Sequence, residues 1–199
     1  QTMNKLLEQD YFLRDDVVQI ARDLIGKKLV TEFNGQITGG YITETEAYAG
    51  KGDQACHAHL GKFTKRTKVM YEAGGIAYVY LCYGIHHLFN IITNQKDHAD
   101  AVLIRAIEPT DGVDLMLERR HMEKIKKNIA AGPGNVSKAL GITKTQNAQS
   151  VTADELKIVD TGKTAHIITS TRIGIGYAGE DVNLPWRFYD KDSKFVSKR

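Results

Sequence analysis

The segment Thr45-Glu46-Ala47-Tyr48 sets a carboxylate two residues before a tyrosine. Side chains alternate along a strand, so two residues at that spacing share a face. Downstream, Tyr78-Val79-Tyr80-Leu81-Cys82-Tyr83-Gly84 reads as a second strand rich in tyrosine, and Arg105 lies beyond it. Such a set suits a flat ligand stacked between aromatic faces with an acid or base at its edge. A hydrolase acting on a nucleobase needs those parts: a carboxylate to activate water, π-faces to hold the base, and a bulky side chain to fill the space a base leaves in a duplex. The plainer alternatives are an ordinary Glu46–Arg105 ion pair and tyrosines that simply pack across strands.

Positive charge is clustered, although the formal net charge is only +3. Lys62, Lys65, Arg66 and Lys68 fall in one loop, and Arg119, Arg120, Lys124, Lys126 and Lys127 in another segment. Either run could be a solvated face; beside an aromatic pocket both suit a polyanion. Asp53, His57 and His59 could be imagined as metal ligands, but an isolated HxH without a third nearby ligand rarely makes a site, so no metal is expected. Cys56 and Cys82 form no CxxC pair and read as reduced thiols.

The elements that must position these residues follow from periodicity. Asp15-Asp16 before Val17, Ile20, Ala21, Leu24 and Ile25, ending at Gly26, reads as an N-capped amphipathic helix. Strands over 28–33 and 36–46 are joined by Asn34-Gly35, a strong hairpin signal. Residues 49–68 have too few apolar positions for a core element and are placed in a long functional loop. Strands are expected at 76–83, 87–93 and 101–107 as an antiparallel meander, then a helix over about 111–121. A mobile basic connection covers 124–131, and Gly132-Pro133-Gly134 opens a short helix ending at Leu140-Gly141. The tail returns to strands at 155–159, 166–169, 172–175 and 186–189.

With 199 residues, 42% of them hydrophobic, the chain can bury one sizeable core, and its 26% charged residues argue against a membrane protein. The longest apolar runs fall far short of the roughly 20 residues a membrane span requires. The first twelve residues lack the apolar core of a secretory signal, so a soluble intracellular protein is expected.

The segments Glu44-Thr45-Glu46-Ala47-Tyr48, Ala55-Cys56-His57, Tyr78-Val79-Tyr80, Tyr83-Gly84, Asn90, Val102-Leu103-Ile104-Arg105-Ala106, Gly132-Pro133-Gly134 and Arg172-Ile173-Gly174-Ile175-Gly176 resemble, in order and spacing, the 3-methyladenine (alkyladenine) DNA glycosylase family. The resemblance runs from about residue 9 to residue 197. It implies a single mixed α/β (α+β) domain spanning 1–199, built on a curved antiparallel sheet with surrounding helices and working without metal or organic cofactor. The implied partner is double-stranded DNA containing damaged purines, bound by a monomer.

Residue by residue, the resemblance implies that Glu46 is the general base, with Arg105 and the backbone carbonyl of Ile173 holding the attacking water. Tyr48, His57 and Tyr80 would sandwich a flipped base, with Asn90 on the pocket floor. In the family the backbone amide at the His57 position reads the base edge and the asparagine excludes a guanine-type amino group. Tyr83 and Ile85 would wedge into the duplex. Lys62, Lys65, Arg66 and Lys68 would meet phosphates. Related sequences often carry lysine where this chain has Asn135, and Lys138 and Lys144 are the candidates to compensate. No lysine is positioned as a Schiff-base nucleophile, which argues for a monofunctional enzyme that releases alkylated or deaminated purines and leaves an abasic site. Two other readings are a binding module that recognises distorted DNA without catalysis and a hydrolase of free nucleosides.

Overall fold

The computed structural model describes residues 4–199. Its centre is a sheet of nine antiparallel strands. The main path runs through β1 (Lys5–Leu6), β7 (Leu156–Asp160), β2 (Lys28–Phe33), β3 (Gln36–Tyr48), β6 (Asp100–Asp111), β5 (His86–Thr93) and β4 (Ala77–Cys82) in that spatial order. β8 (Ile167–Ser170) pairs with β9 (Arg187–Asp190), which pairs in turn with β3. The sheet therefore branches along β3, whose first half is flanked by β2 and whose second half, from Glu44 to Glu46, is flanked by β9.

The local signals explain the frame. Asn34 and Gly35 both take positive φ, 55° and 75°, the backbone a tight two-residue hairpin turn demands. The helix α2 (Val17–Asp23), which follows a short α1 (Gln9–Phe12), starts where the Asp16 carboxylate accepts the Gln19 N–H at 3.0 Å. It buries Val17, Ile20 and Ala21 in a core shared with Leu29, Ile42, Ile104 and Ile107. On the other side of the chain, α3 (Val113–Arg120) packs with α4 (Pro133–Leu140), which lies over β5 and β6. Pro133 occupies the first turn of α4, and the helix stops at Gly141 with φ 73°.

Three expectations need correction. Residues 172–175 are not a strand: the alternating Arg-Ile-Gly-Ile pattern mimics one, but the Arg172 side chain is buried against Asp53 and the backbone turns at Gly174 with φ 74°. The connection over 124–131 is not mobile throughout, because Ile129 and Ala130 are fully buried, the Ile107 N–H reaches the Ala130 carbonyl, and Ala131 bridges Ala106. The loop after β3 does contribute to a core. Cys56, Ala58, Val69 and Met70 form a second apolar cluster with Tyr78, Ile92, Ala99 and Ala101. No helix among the described residues is long and apolar enough to cross a membrane.

Candidate active site

Glu46 is fully buried, and the pairing of β3 with β6 sets Arg105 beside it. That ladder carries Thr45 opposite Ile104 and Glu44 opposite Ala106, so Arg105 has no partner and forms a bulge on β6. Thr43 is skipped in the same way on β3, and the two irregularities cancel. A bulge bends the strand and re-aims its side chain. The Arg105 guanidinium is thereby turned toward both carboxylates of the neighbouring strand, with Nε 3.4 Å from Glu44 Oε2 and Nη1 3.7 Å from Glu46 Oε1.

The Glu46 carboxylate has two further partners. The Tyr48 hydroxyl donates to Oε1 at 2.6 Å, as expected for residues two apart on one strand, and the Ile173 N–H donates to Oε2 at 2.7 Å. Burial raises the pKa of Glu46 above the ordinary carboxylate value; Arg105 opposes this most strongly, followed by the Tyr48 and Ile173 hydrogen bonds, while Glu44 adds to the rise. A proton acceptor with raised affinity for its proton is what general-base work at neutral pH favours. Ile173 thus meets Glu46 through its amide nitrogen, a contact that the sequence did not indicate.

In front of this cluster lies a cavity of about 440 Å³ lined by Tyr48, His57, Tyr80, Asn90, Arg105 and Ile173, among others. All three base-stacking candidates and the floor candidate therefore share one chamber. The His57 and Tyr80 rings meet edge to face with centroids 4.6 Å apart, and His57 Nδ1 lies 3.1 Å from the Tyr78 hydroxyl. Burial, aided by Arg66 and Lys62, pushes the His57 pKa down to about 4, so the ring is neutral at pH 7. Asn90, on β5 between Tyr78 and Leu103, gives its amide protons to the carbonyls of Tyr78 and Leu88.

Tyr83 sits on the rim of the same cavity and is 92% exposed. With φ 54°, followed by Gly84 at φ 70°, it occupies the tip of the hairpin between β4 and β5. Ile85, 71% exposed, is not in this cavity but lines a second hollow of about 500 Å³ with His86, Arg119, Arg120 and Lys138. Lys62, Lys65, Arg66 and Lys68 are all exposed, and the Arg66 guanidinium hangs 5.5 Å from the Tyr80 ring centroid. Lys144 is exposed in the short turn Lys144–Gln146 and lines neither hollow. Asn135 donates to the Ala131 carbonyl at 2.8 Å, so it pins its own loop.

Sequence reasoning missed the supports. Arg172 makes a buried two-pronged pair with Asp53, at 2.7 and 3.0 Å, and also donates to the Ala47 and Asp181 carbonyls. Its guanidinium lies 4.9 Å from the Tyr48 ring and 5.0 Å from the Trp186 ring. Asp53 in turn accepts the Ala49 and Ala55 N–H groups, leaving it no capacity to serve as a metal ligand without breaking this knot. Glu44 is held by Arg187 at 3.0 Å and by the Ser197 hydroxyl at 2.7 Å. Glu44 and Arg187 lie on strands β3 and β9, whereas Asp53 and Arg172 lie in loops.

Comparison with known proteins gives the family of the chain. A profile described as methylpurine-DNA glycosylase (MPG) matches residues 11–194. A protein of Chlamydia felis is 46% identical over 184 residues, covering 92% of this chain and 95% of its own length. Proteins of Clostridium novyi and Natranaerobius thermophilus are 41% and 42% identical, covering 98% and 96% of this chain and 100% and 98% of their own. All three are named, provisionally, as 3-methyladenine DNA glycosylases.

Proposed function

The chain belongs to the methylpurine-DNA glycosylase family and is a DNA glycosylase of alkylated-base repair, and from that premise we propose that it flips alkylated or deaminated purines out of duplex DNA and hydrolyses their N-glycosidic bond. The observation that carries this reading is the joining of Glu46 to Tyr48 by a 2.6 Å hydrogen bond at the wall of a cavity also lined by His57, Tyr80 and Asn90.

In this reading Glu46 takes a proton from water as the water oxygen bonds to the sugar anomeric carbon. The glycosidic electron pair leaves with the base. Both Glu46 oxygens already accept one hydrogen bond each, but an ionised carboxylate has about four lone-pair sites, so a water can still be held. Arg105 and the Ile173 carbonyl are the proposed partners of that water, fixing its orientation before attack. Burial that raises the affinity of Glu46 for a proton strengthens it as a base, while Arg105 opposes that rise and so favours the ionised form.

Selectivity comes partly from charge. Alkylation makes bases such as 3-methyladenine cationic, which weakens the glycosidic bond and favours electron-rich faces by roughly 0.5–2 kcal/mol. Tyr48 and Tyr80 supply such faces, and a neutral His57 adds no repulsion. Tyr83 enters the duplex to occupy the vacated space. The enzyme acts as a monomer on double-stranded DNA, needs no metal, and leaves an abasic site without cutting the strand. The test is release of free base from duplex oligonucleotides carrying 3-methyladenine, 7-methylguanine, hypoxanthine or ethenoadenine, beside the corresponding free nucleosides. Release from duplex with little from nucleoside supports the reading; the reverse pattern makes it a nucleoside hydrolase.

A further inference from the structure

Two exposed bulky side chains share one backbone device. Tyr83 with Gly84 is the first, and Leu60 (φ 61°, ψ 27°) with Gly61 (φ 72°) is the second. A leucine with positive φ is strained and persists only where something over-determines it. Folding does not reward it here: Leu60 is 87% exposed, and Phe63 three residues on is 68% exposed. The turn beneath them is nonetheless well tied. Thr67 Oγ1 and the Tyr71 hydroxyl both donate to the Lys62 carbonyl, Thr64 and Thr67 exchange hydrogen bonds, and Phe63 leans on the Tyr71 ring with centroids 5.2 Å apart.

The location fixes the partner. His57 and Arg66 bracket this tip in sequence and both line the 440 Å³ cavity. Three residues of chain reach at most about 11 Å, so Leu60 lies within that distance of the cavity-lining His57. Close after it in the chain come Lys62, Lys65, Arg66 and Lys68, all exposed. Apolar tips flanked by cations are how groove-binding proteins approach a duplex.

We infer that Leu60, backed by Phe63, is a second apolar DNA-contacting tip that enters the duplex groove across the cavity mouth from Tyr83 while the surrounding cations hold phosphates. The inference rests on the glycosylase reading above, since it takes duplex DNA as the ligand. The two tips would grip the duplex from both sides of the extruded base.

The experiment measures binding of Leu60→Ser and Leu60→Gly to a duplex containing a tetrahydrofuran abasic analogue at several salt concentrations, beside Lys62→Ala and melting temperatures. Leu60→Gly relieves the strained φ, so it should melt no lower than the parent while binding about tenfold more weakly, the expected loss of one buried aliphatic side chain. The salt slope should stay unchanged for the Leu60 variants, because no counterion release is lost, but fall by about one for Lys62→Ala. Unaltered duplex affinity in both Leu60 variants overturns the inference, as does a weakening that comes with a reduced salt slope. A shift in sedimentation of the free protein without a binding defect would assign the tip to self-association and overturn it too. Failure of the parent protein to release base from methylated duplex would instead strike at the glycosylase reading.

Discussion

The Tyr48 hydroxyl donates to Glu46 Oε1 at 2.6 Å, so the residue proposed to stack on the base also holds the base's executioner, the carboxylate, in place. Burial and the neighbouring Glu46 charge raise the Tyr48 pKa, which keeps this hydroxyl a donor throughout the working range. Tyr48→Phe keeps the ring and deletes the donor. That hydrogen bond favours ionised Glu46, so its loss raises the Glu46 pKa further and moves the acidic limb of the rate profile to higher pH. Turnover above that limb should fall about tenfold or less. A pH profile identical to wild type would show that the bond has no part in setting the base.

Glu46 also links stability to pH. Its folded pKa lies above the ordinary value, so the native state favours the protonated form, and that contribution is present at low pH and lost as pH rises through the folded pKa. Glu46→Gln is neutral at every pH and keeps an acceptor for the Ile173 N–H. It should melt above wild type at pH 7–8, with the difference vanishing toward pH 4. Equal melting temperatures across that window would mean that Arg105 fully compensates the buried charge.

The Asp53–Arg172 pair joins the loop that carries His57 to the loop that carries Ile173, with both side chains fully buried. Asp53→Asn leaves a buried guanidinium without its counter-charge, a loss of roughly 3–5 kcal/mol in such settings. The melting temperature should drop accordingly and base release with it. A thermally unperturbed variant would contradict the clamp.

Tyr83 is exposed, so Tyr83→Ala should alter folding stability by no more than about 0.5 kcal/mol. Affinity for lesion duplex should fall, and mispaired lesions should suffer least, because their bases cost less to extrude. Binding isotherms on paired and mispaired duplexes check this. A uniform loss with a lowered melting temperature would mark Tyr83 as structural.

Much of the site was legible because it rests on local rules. Period-two alternation put Glu46 and Tyr48 on one face, whereas Tyr83, read as the end of a strand over 76–83, lies in the turn just past Cys82. The position of Arg105 was not legible, because a bulge exists only relative to the partner strand. Arg172 and Asp53 lie far apart in the chain, so no local pattern could pair them. The same Arg172 explains the mistaken strand over 172–175: alternation there reflects burial against Asp53, Ala55 and Ala178 rather than a ladder. The loop after β3 hid its small buried residues, Ala55, Cys56 and Ala58, because small side chains give little hydrophobic signal yet pack into the minor apolar clusters.

The central claim is that Glu46 activates the attacking water, and single-turnover release of 3-methyladenine from a methylated duplex by wild type and Glu46→Gln tests it most directly. Loss of general-base catalysis should lower the rate by at least about 100-fold, with affinity for abasic-analogue duplex retained. A Glu46→Gln protein that releases base at near wild-type rate would contradict the account.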